Sequence, residues 1–150
     1  MKILFLHGLE STPGGKKPTF LKEQGFEVIN PALPKEPFSM AVQIAQDAVQ
    51  HFKPDIIVGS SRGGAVAMAI DPGNASIVLI APAWKKYGVT SKVDNAFVLH
   101  CENDDVVLFE DTQELFRSST GTTVVSCGID HRMSDTGALE ALKAAVNESW

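Results

Sequence analysis

The stretch that decides the fold is Asp55-Ile56-Ile57-Val58-Gly59-Ser60-Ser61-Arg62-Gly63-Gly64-Ala65-Val66-Ala67-Met68-Ala69-Ile70. It opens as a short continuous apolar run, the pattern of a strand buried on both faces. It closes as a run of small residues suited to a slim helix, stopped by Asp71-Pro72. Between them stands Gly59-Ser60-Ser61-Arg62-Gly63, which has the spacing G-x-S-x-G in the setting that spacing requires, a strand before it and a helix after it. A sharp turn there exposes the central serine. The glycines two before and two after it are expected because the turn leaves no room for a Cβ atom. The helix start also aims backbone N–H groups at the serine, which favours negative charge.

Outward from this segment the chain repeats one alternation. Apolar, β-rich runs occur at Lys2–Leu6, Glu27–Asn30, Asp55–Gly59, Ser76–Ile80, Ala96–His100 and Thr122–Cys127. Helical patterns fall between and after them: Pro18–Gln24 with Gly25 at its end, Met40–Phe52 with Ser39 as cap, Gly63–Ile70, Glu110–Phe116, and a last helix capped by Ser134 or Asp135. Trp84–Asp94 reads as irregular, with room for one turn. Six strands alternating with helices predict an α/β fold, a doubly wound, mostly parallel six-stranded sheet with helices on both faces. In such sheets ligands sit beyond the carboxyl ends of the strands, where strand order reverses. If strands two and three flank strand one, the loops His7–Glu10 and Gly59–Gly64 meet there.

Length and composition fit that picture. The chain has 150 residues, which predicts a single domain over 1–150. Thirteen basic against eighteen acidic residues give −5, which counts against nucleic acid as a partner. No apolar run is long enough to cross a bilayer, and Met1–Leu6 is too short for a signal peptide, so the expected location is cytoplasmic. Cys101 and Cys127 are too few for a disulfide framework or a zinc site. Nothing in the sequence sets an oligomeric state.

A serine nucleophile needs a base, and the base needs an orienting group. Of four histidines, His51 ends a helix, where the helix C-terminus accounts for it, and His100 closes strand five as a structural histidine under the next loop. His7 opens the first loop, where it shapes the site or packs. His131 follows the last strand and reaches the carboxyl edge, so it is the expected general base. The acid should come from the loop after strand five, where Glu102, Asp104 and Asp105 are the choices. Backbone N–H groups of Arg62 and of Leu9 or Glu10 are placed to form an oxyanion hole. His7, the Arg62 side chain at the mouth, and Trp84 are the expected substrate-side residues. Lys16, Lys17, Arg62, Lys85, Lys86 and Arg132 recur in the carboxyl-edge loops as a basic rim suited to an anionic group.

With these residues on the page, the sequence resembles the α/β-hydrolase family, in particular small cap-less bacterial esterases that open with a strand, His-Gly and a Ser/Thr-Pro loop. Here that opening is Leu4-Phe5-Leu6-His7-Gly8-Leu9-Glu10-Ser11-Thr12-Pro13. The resemblance covers nearly the whole chain. It implies that Ser61 is the nucleophile, His131 the base and Asp104 the acid. The acid follows from a H-G-x-x-D-x-x-V pattern matched by His100-Cys101-Glu102-Asn103-Asp104-Asp105-Val106-Val107, with Cys101 in place of the glycine. It also implies a serine hydrolase of a small carboxylic ester or thioester, without metal or organic cofactor. The segment between strands four and five is too short for a helical cap, which implies an open site. The same residues leave room for peptide or amide cleavage by the same triad, and for a non-catalytic binding module on the same fold. A nucleotide-binding reading fails on Gly14-Gly15-Lys16-Lys17, which lacks the phosphate-loop spacing.

Overall fold

The structure is a computed structural model, and it describes residues 1–149. Its element order is β1 (Lys2–Leu6), α1 (Lys16–Glu23), β2 (Glu27–Ile29), α2 (Phe38–Phe52), β3 (Ile56–Ser60), α3 (Arg62–Ala69), β4 (Ser76–Ile80), β5 (Phe97–His100), α4 (Phe109–Phe116), β6 (Thr123–Ser126) and α5 (Thr136–Glu148). The strands form one six-stranded sheet in the order β2-β1-β3-β4-β5-β6. Every strand pair is parallel, so the expected fold class is observed in its all-parallel form. At the centre β3 and β4 pair from Ile56↔Ser76 to Ser60↔Ile80. Strand order reverses between β1 and β3, which brings the loops after those two strands side by side.

The continuous apolar runs pay off as two cores, one on each face of the sheet. Leu4, Leu6, Ile57, Leu79 and Val98 point to one face, against α2 and α3. Ile3, Phe5, Ile56, Val58, Val78, Ile80 and Leu99 point to the other, against α1 and α5. All of these are at most 2% exposed, and each such side chain contributes about 1.5–3 kcal/mol through burial. The strands at the two edges are shorter and more exposed, as edges are.

Helix boundaries shift from the sequence reading. The start of α2 is Phe38, with Pro37 as its N-cap, so the Ser39 side chain caps nothing. Its fully buried stripe is Ala41, Ala45 and Val49, with Ile44 and Ala48 packed at the flanks. Lys53 in the left-handed region (φ 52°) ends it, before Pro54. Before α5, Asp135 rather than Ser134 is the cap, accepting from the Ala138 N–H at 3.2 Å. Residues 84–88 form turns and no helix, so nothing helical rises over the carboxyl edge between β4 and β5. Among the described residues no helix is long and apolar enough to cross a membrane.

Candidate active site

Ser61 sits between β3 and α3 with φ 54° and ψ −114°, a backbone conformation that L-residues rarely adopt. Strain of this kind costs about 1–3 kcal/mol and persists only where neighbours impose it. Here they do. The Ser61 N–H donates to the Ile80 carbonyl at 2.8 Å, and the Ser61 carbonyl accepts from Gly64 at 2.9 Å and Ala83 at 3.0 Å. The two motif glycines make the turn sterically possible. A Cβ on Gly59 would lie 2.9 Å from Gly64 Cα, and one on Gly63 would strike the Leu6 carbonyl at the end of β1. The first loop passes so close that a Cβ on Gly8 would meet Ser61 Cβ at 3.4 Å. The Arg62 N–H is the first of α3 and has no intrahelical acceptor, and Leu9 and Glu10 line the same cavity as Ser61.

His131 stands on the loop after β6, and Asp104 on the loop after β5. Asp104 accepts from the His131 Nδ1–H at 2.7 Å, and the Ser61 Oγ–H donates to His131 Nε2 at 3.0 Å. A carboxylate can only accept, so the proton on the Asp104 side of the ring belongs to Nδ1, and Nε2 is left as an acceptor. The structure thus brings together the three residues singled out from the sequence. Burial separates Asp104 from Asp105: the Asp104 side chain is fully buried, whereas Asp105 is exposed.

The Asp104 carboxylate is saturated with donors. Oδ1 accepts from the Val106 and Val107 amides, each at 2.8 Å. Oδ2 accepts from His131 and also from His100 Nε2 at 3.2 Å. Burial alone would raise its pKa; the hydrogen bonds from His131, Val107 and Val106 outweigh that and hold it below the ordinary 3.8. The sign of the linkage follows. The unfolded chain takes up this proton at the ordinary value and the folded chain only at a lower one. The stability this group confers is therefore whole above 3.8 and is lost as pH falls below it. The unfolding free energy of wild type relative to Asp104→Asn, measured in urea, is expected to be flat above about pH 5 and to narrow below the ordinary value. A gap unchanged at pH 3 would contradict the donor set described here.

Ser61 and His131 line a cavity of about 900 Å³ that opens to solvent. All six residues of the expected basic rim line it, but so do Glu10, Asp105, Asp111 and Asp130. Lys85 is engaged with Asp111 at 3.4 Å and Glu114 at 3.0 Å. Lys17 is held inward: burial pushes its ammonium down to about 8, with Asp130 partly opposing, and its Nζ donates to the Arg132 carbonyl at 2.6 Å. It thereby ties the start of α1 to the loop that carries His131, a link between residues 115 positions apart that no motif signals.

Three expected substrate-side residues are placed differently. The Arg62 side chain is not at the mouth. It is 2% exposed, with its guanidinium 5.6 Å from the Phe38 and Tyr87 rings and Nη2 donating to the Lys35 carbonyl at 3.0 Å. Two stacked aromatic rings offer a planar cation more than open solvent does. Trp84 is buried in the core on the α2–α3 face, and its indole N–H donates to the Asp111 carbonyl at 3.0 Å. A ring this large gains most when buried with its one donor satisfied. His7 borders the cavity with both ring nitrogens committed to backbone. Nε2 accepts from the Leu33 N–H at 2.9 Å, so Nδ1 carries the proton and donates to the Gly8 carbonyl at 2.8 Å. His7 braces the first loop and has no nitrogen left for a substrate.

His51 lies far from this chemistry, exposed at the end of α2, where its Nδ1 meets the Asp47 carbonyl at 2.7 Å. His100 is a different matter: it is fully buried beneath the 104–107 loop and touches Asp104 directly. The i, i+4 spacing of His100 and Asp104 was the available signal. Among the described residues no group of three or more His, Cys, Asp or Glu is placed to hold a metal ion.

Neither a family model nor a curated protein matches the sequence. Solved structures do match. Alpha/beta hydrolase domain-containing protein 10 from mouse superposes with a TM-score of 0.76 at 16% identity, over 98% of this chain and 88% of that one. MGS-MChE2, an alpha/beta hydrolase enzyme from the metagenome of lagoon sediments at Mar Chica, Morocco, gives 0.72 at 16% identity, over 98% and 89%. The esterase domain of a Rhodothermus marinus protein gives 0.68 at 15% identity, over 99% and 84%. Strand order, the strained serine turn and these superpositions agree, and the chain has the α/β-hydrolase fold.

Proposed function

We propose that the chain is a serine hydrolase that cleaves a small carboxylic ester or thioester through an acyl-enzyme. The observation that carries this reading is the continuous hydrogen-bonded path from Ser61 Oγ through His131 to Asp104, at 3.0 and 2.7 Å, on a serine held at positive φ. Ser61 Oγ attacks the substrate carbonyl while His131 Nε2 takes its proton. The oxyanion that forms is held by the N–H of Arg62 and an N–H from Leu9 or Glu10. His131 then gives the proton to the leaving oxygen or sulfur, and the acyl group stays on Ser61. Water, deprotonated by His131, attacks the ester, and Ser61 recovers the proton as the acid departs. Asp104 keeps Nδ1 protonated and stabilises the imidazolium.

The cavity favours small substrates whose ester projects from the molecule. Among the described residues no helical cap covers it, and its walls mix Phe5, Tyr87, Val106 and Val107 with charges of both signs. With Arg62 withdrawn and Lys85 paired, a selective site for anions is not the reading the geometry favours.

The test is intact mass after exposure to a fluorophosphonate probe. Wild type is expected to gain one adduct, and the Ser61→Ala and His131→Ala variants none. A folded wild type that stays unlabelled would overturn the proposal and leave a non-catalytic binding module as the better reading.

A further inference from the structure

His100 is a buried titratable group with no part in the proposed reaction, and it touches the acid directly. It is 0% exposed at the end of β5. Its Nε2 faces two acceptors, the Val107 carbonyl at 2.9 Å and Asp104 Oδ2 at 3.2 Å. A carbonyl cannot donate, so Nε2 carries the proton and shares it between the two. On the far side Nδ1 is 2.7 Å from Thr112 Oγ1, itself fully buried at the first turn of α4. With Nε2 protonated and the ring neutral, Nδ1 accepts, and the Thr112 hydroxyl donates to it. One tautomer satisfies every partner.

We propose that His100 is a positioning residue for hydrolysis at Ser61, a fixed neutral donor that shares Asp104 Oδ2 with His131. This rests on the reading of Ser61, His131 and Asp104 as the triad. The oxygen that receives His131 Nδ1–H is the same oxygen that His100 reaches. A second donor there withdraws electron density from Oδ2 and limits how strongly it holds the imidazolium. It also fixes the carboxylate plane, because Oδ1 is bound by the Val106 and Val107 amides while the Val107 carbonyl is bound by the same His100 nitrogen. The loop 104–107 is thus closed around one imidazole. A buried structural histidine would need only the Thr112 and Val107 contacts; the Asp104 contact connects it to the reacting atoms.

His131 is hydrogen-bonded to Asp104 and Ser61, with His100 behind Asp104; Lys17 reaches the Arg132 carbonyl, and Glu10, Lys16, Asp105, Asp130 and Arg132 line the same cavity. A change confined to His100 leaves the others in place. His100→Leu removes the donor at similar volume. It is expected to lower kcat/KM about 10- to 100-fold, by analogy with the outer partners of metal ligands. It is also expected to move the acid limb of the kcat/KM profile up by about half a pH unit or more, because Oδ2 then holds the imidazolium harder. His100→Gln restores an N–H donor at that position and should return the limb toward wild type. A lowered rate with an unmoved limb in His100→Leu would overturn the proposal.

Should His100→Leu not fold, ¹⁵N NMR of the wild-type protein decides the same question. His100 is expected to carry its proton on Nε2, the nitrogen that faces two acceptors. Its Nε2–H resonance should move in His131→Ala, through the shared Asp104 oxygen. An Nδ1–H tautomer, or a resonance indifferent to His131, would overturn the proposal. A wild type inert to the fluorophosphonate would instead defeat the hydrolase reading and leave the NMR result standing on its own.

Discussion

Replacing Ser61 by alanine is expected to lower kcat for ester hydrolysis by about 10⁶, and His131→Ala by a similar amount. The double variant should be no slower than either alone, because the two residues carry one proton between them and neither acts without the other. On the proposed reading the residual rate belongs to the oxyanion donors, the backbone N–H groups of Arg62 and Leu9 or Glu10, which survive both changes. Steady-state assay with a short-chain activated ester measures all three proteins. Additive losses, or a Ser61→Ala rate within tenfold of wild type, would show that Ser61 and His131 do not act as a unit. Substitution at Ser61 should also raise stability slightly if glycine is used instead, since glycine relieves the positive φ that serine is forced to hold.

The largest effect on folding is expected from Gly63→Ala. The added Cβ would strike the Leu6 carbonyl and lie 2.8 Å from the His7 carbonyl. Neither neighbour is the free end of a side chain; both are backbone at the end of β1, which is paired to β2 and β3 on its two sides. Relief therefore requires α3 to lift from the sheet, opening the core around Ala65, Val66 and Ala67. A loss of about 3 kcal/mol or more is expected, at the top of the range for overpacking, because the neighbour is rigid backbone. Urea unfolding checks it. Gly14→Ala is the contrast: nothing lies within 4 Å of the added Cβ there, and the cost is that of its left-handed φ of 86°. A Gly63→Ala protein as stable as wild type would mean that α3 does not press on β1 as described.

Much of this was legible in the residues. Parallel strands buried on both faces cannot alternate, so Ile56-Ile57-Val58 and Ser76–Ile80 announce themselves as continuous apolar runs. The G-x-S-x-G turn and the carboxyl-edge positions of Asp104 and His131 follow from chain order alone. What was not legible depends on which way a side chain leaves a turn. Arg62 and Trp84 both follow carboxyl-edge strands, where residues face either the cleft or the core. Packing against Phe38 and Tyr87 in one case, and the Asp111 carbonyl as acceptor for the indole N–H in the other, sent both inward. Between Asp104 and Asp105 the resemblance implied Asp104, and Asp104 is the one whose side chain is buried. Helix starts drifted for a related reason: Phe38 joins α2 because its ring stacks on Tyr87 at 4.9 Å, a contact from a distant loop.

The pairing of β3 with β4 divides the chain in a particular way. On the proposed reading, the chain before β4 supplies the serine and the amides that face the oxyanion, and the chain after it supplies the acid and the base. Within the sheet the two contributions meet along five residue pairs, Ile56↔Ser76 through Ser60↔Ile80. A slip of a single residue there would turn each side chain of one partner to the opposite face and carry the serine away from the imidazole. On that reading, the catalytic rate is a ruler laid across the middle of the sheet.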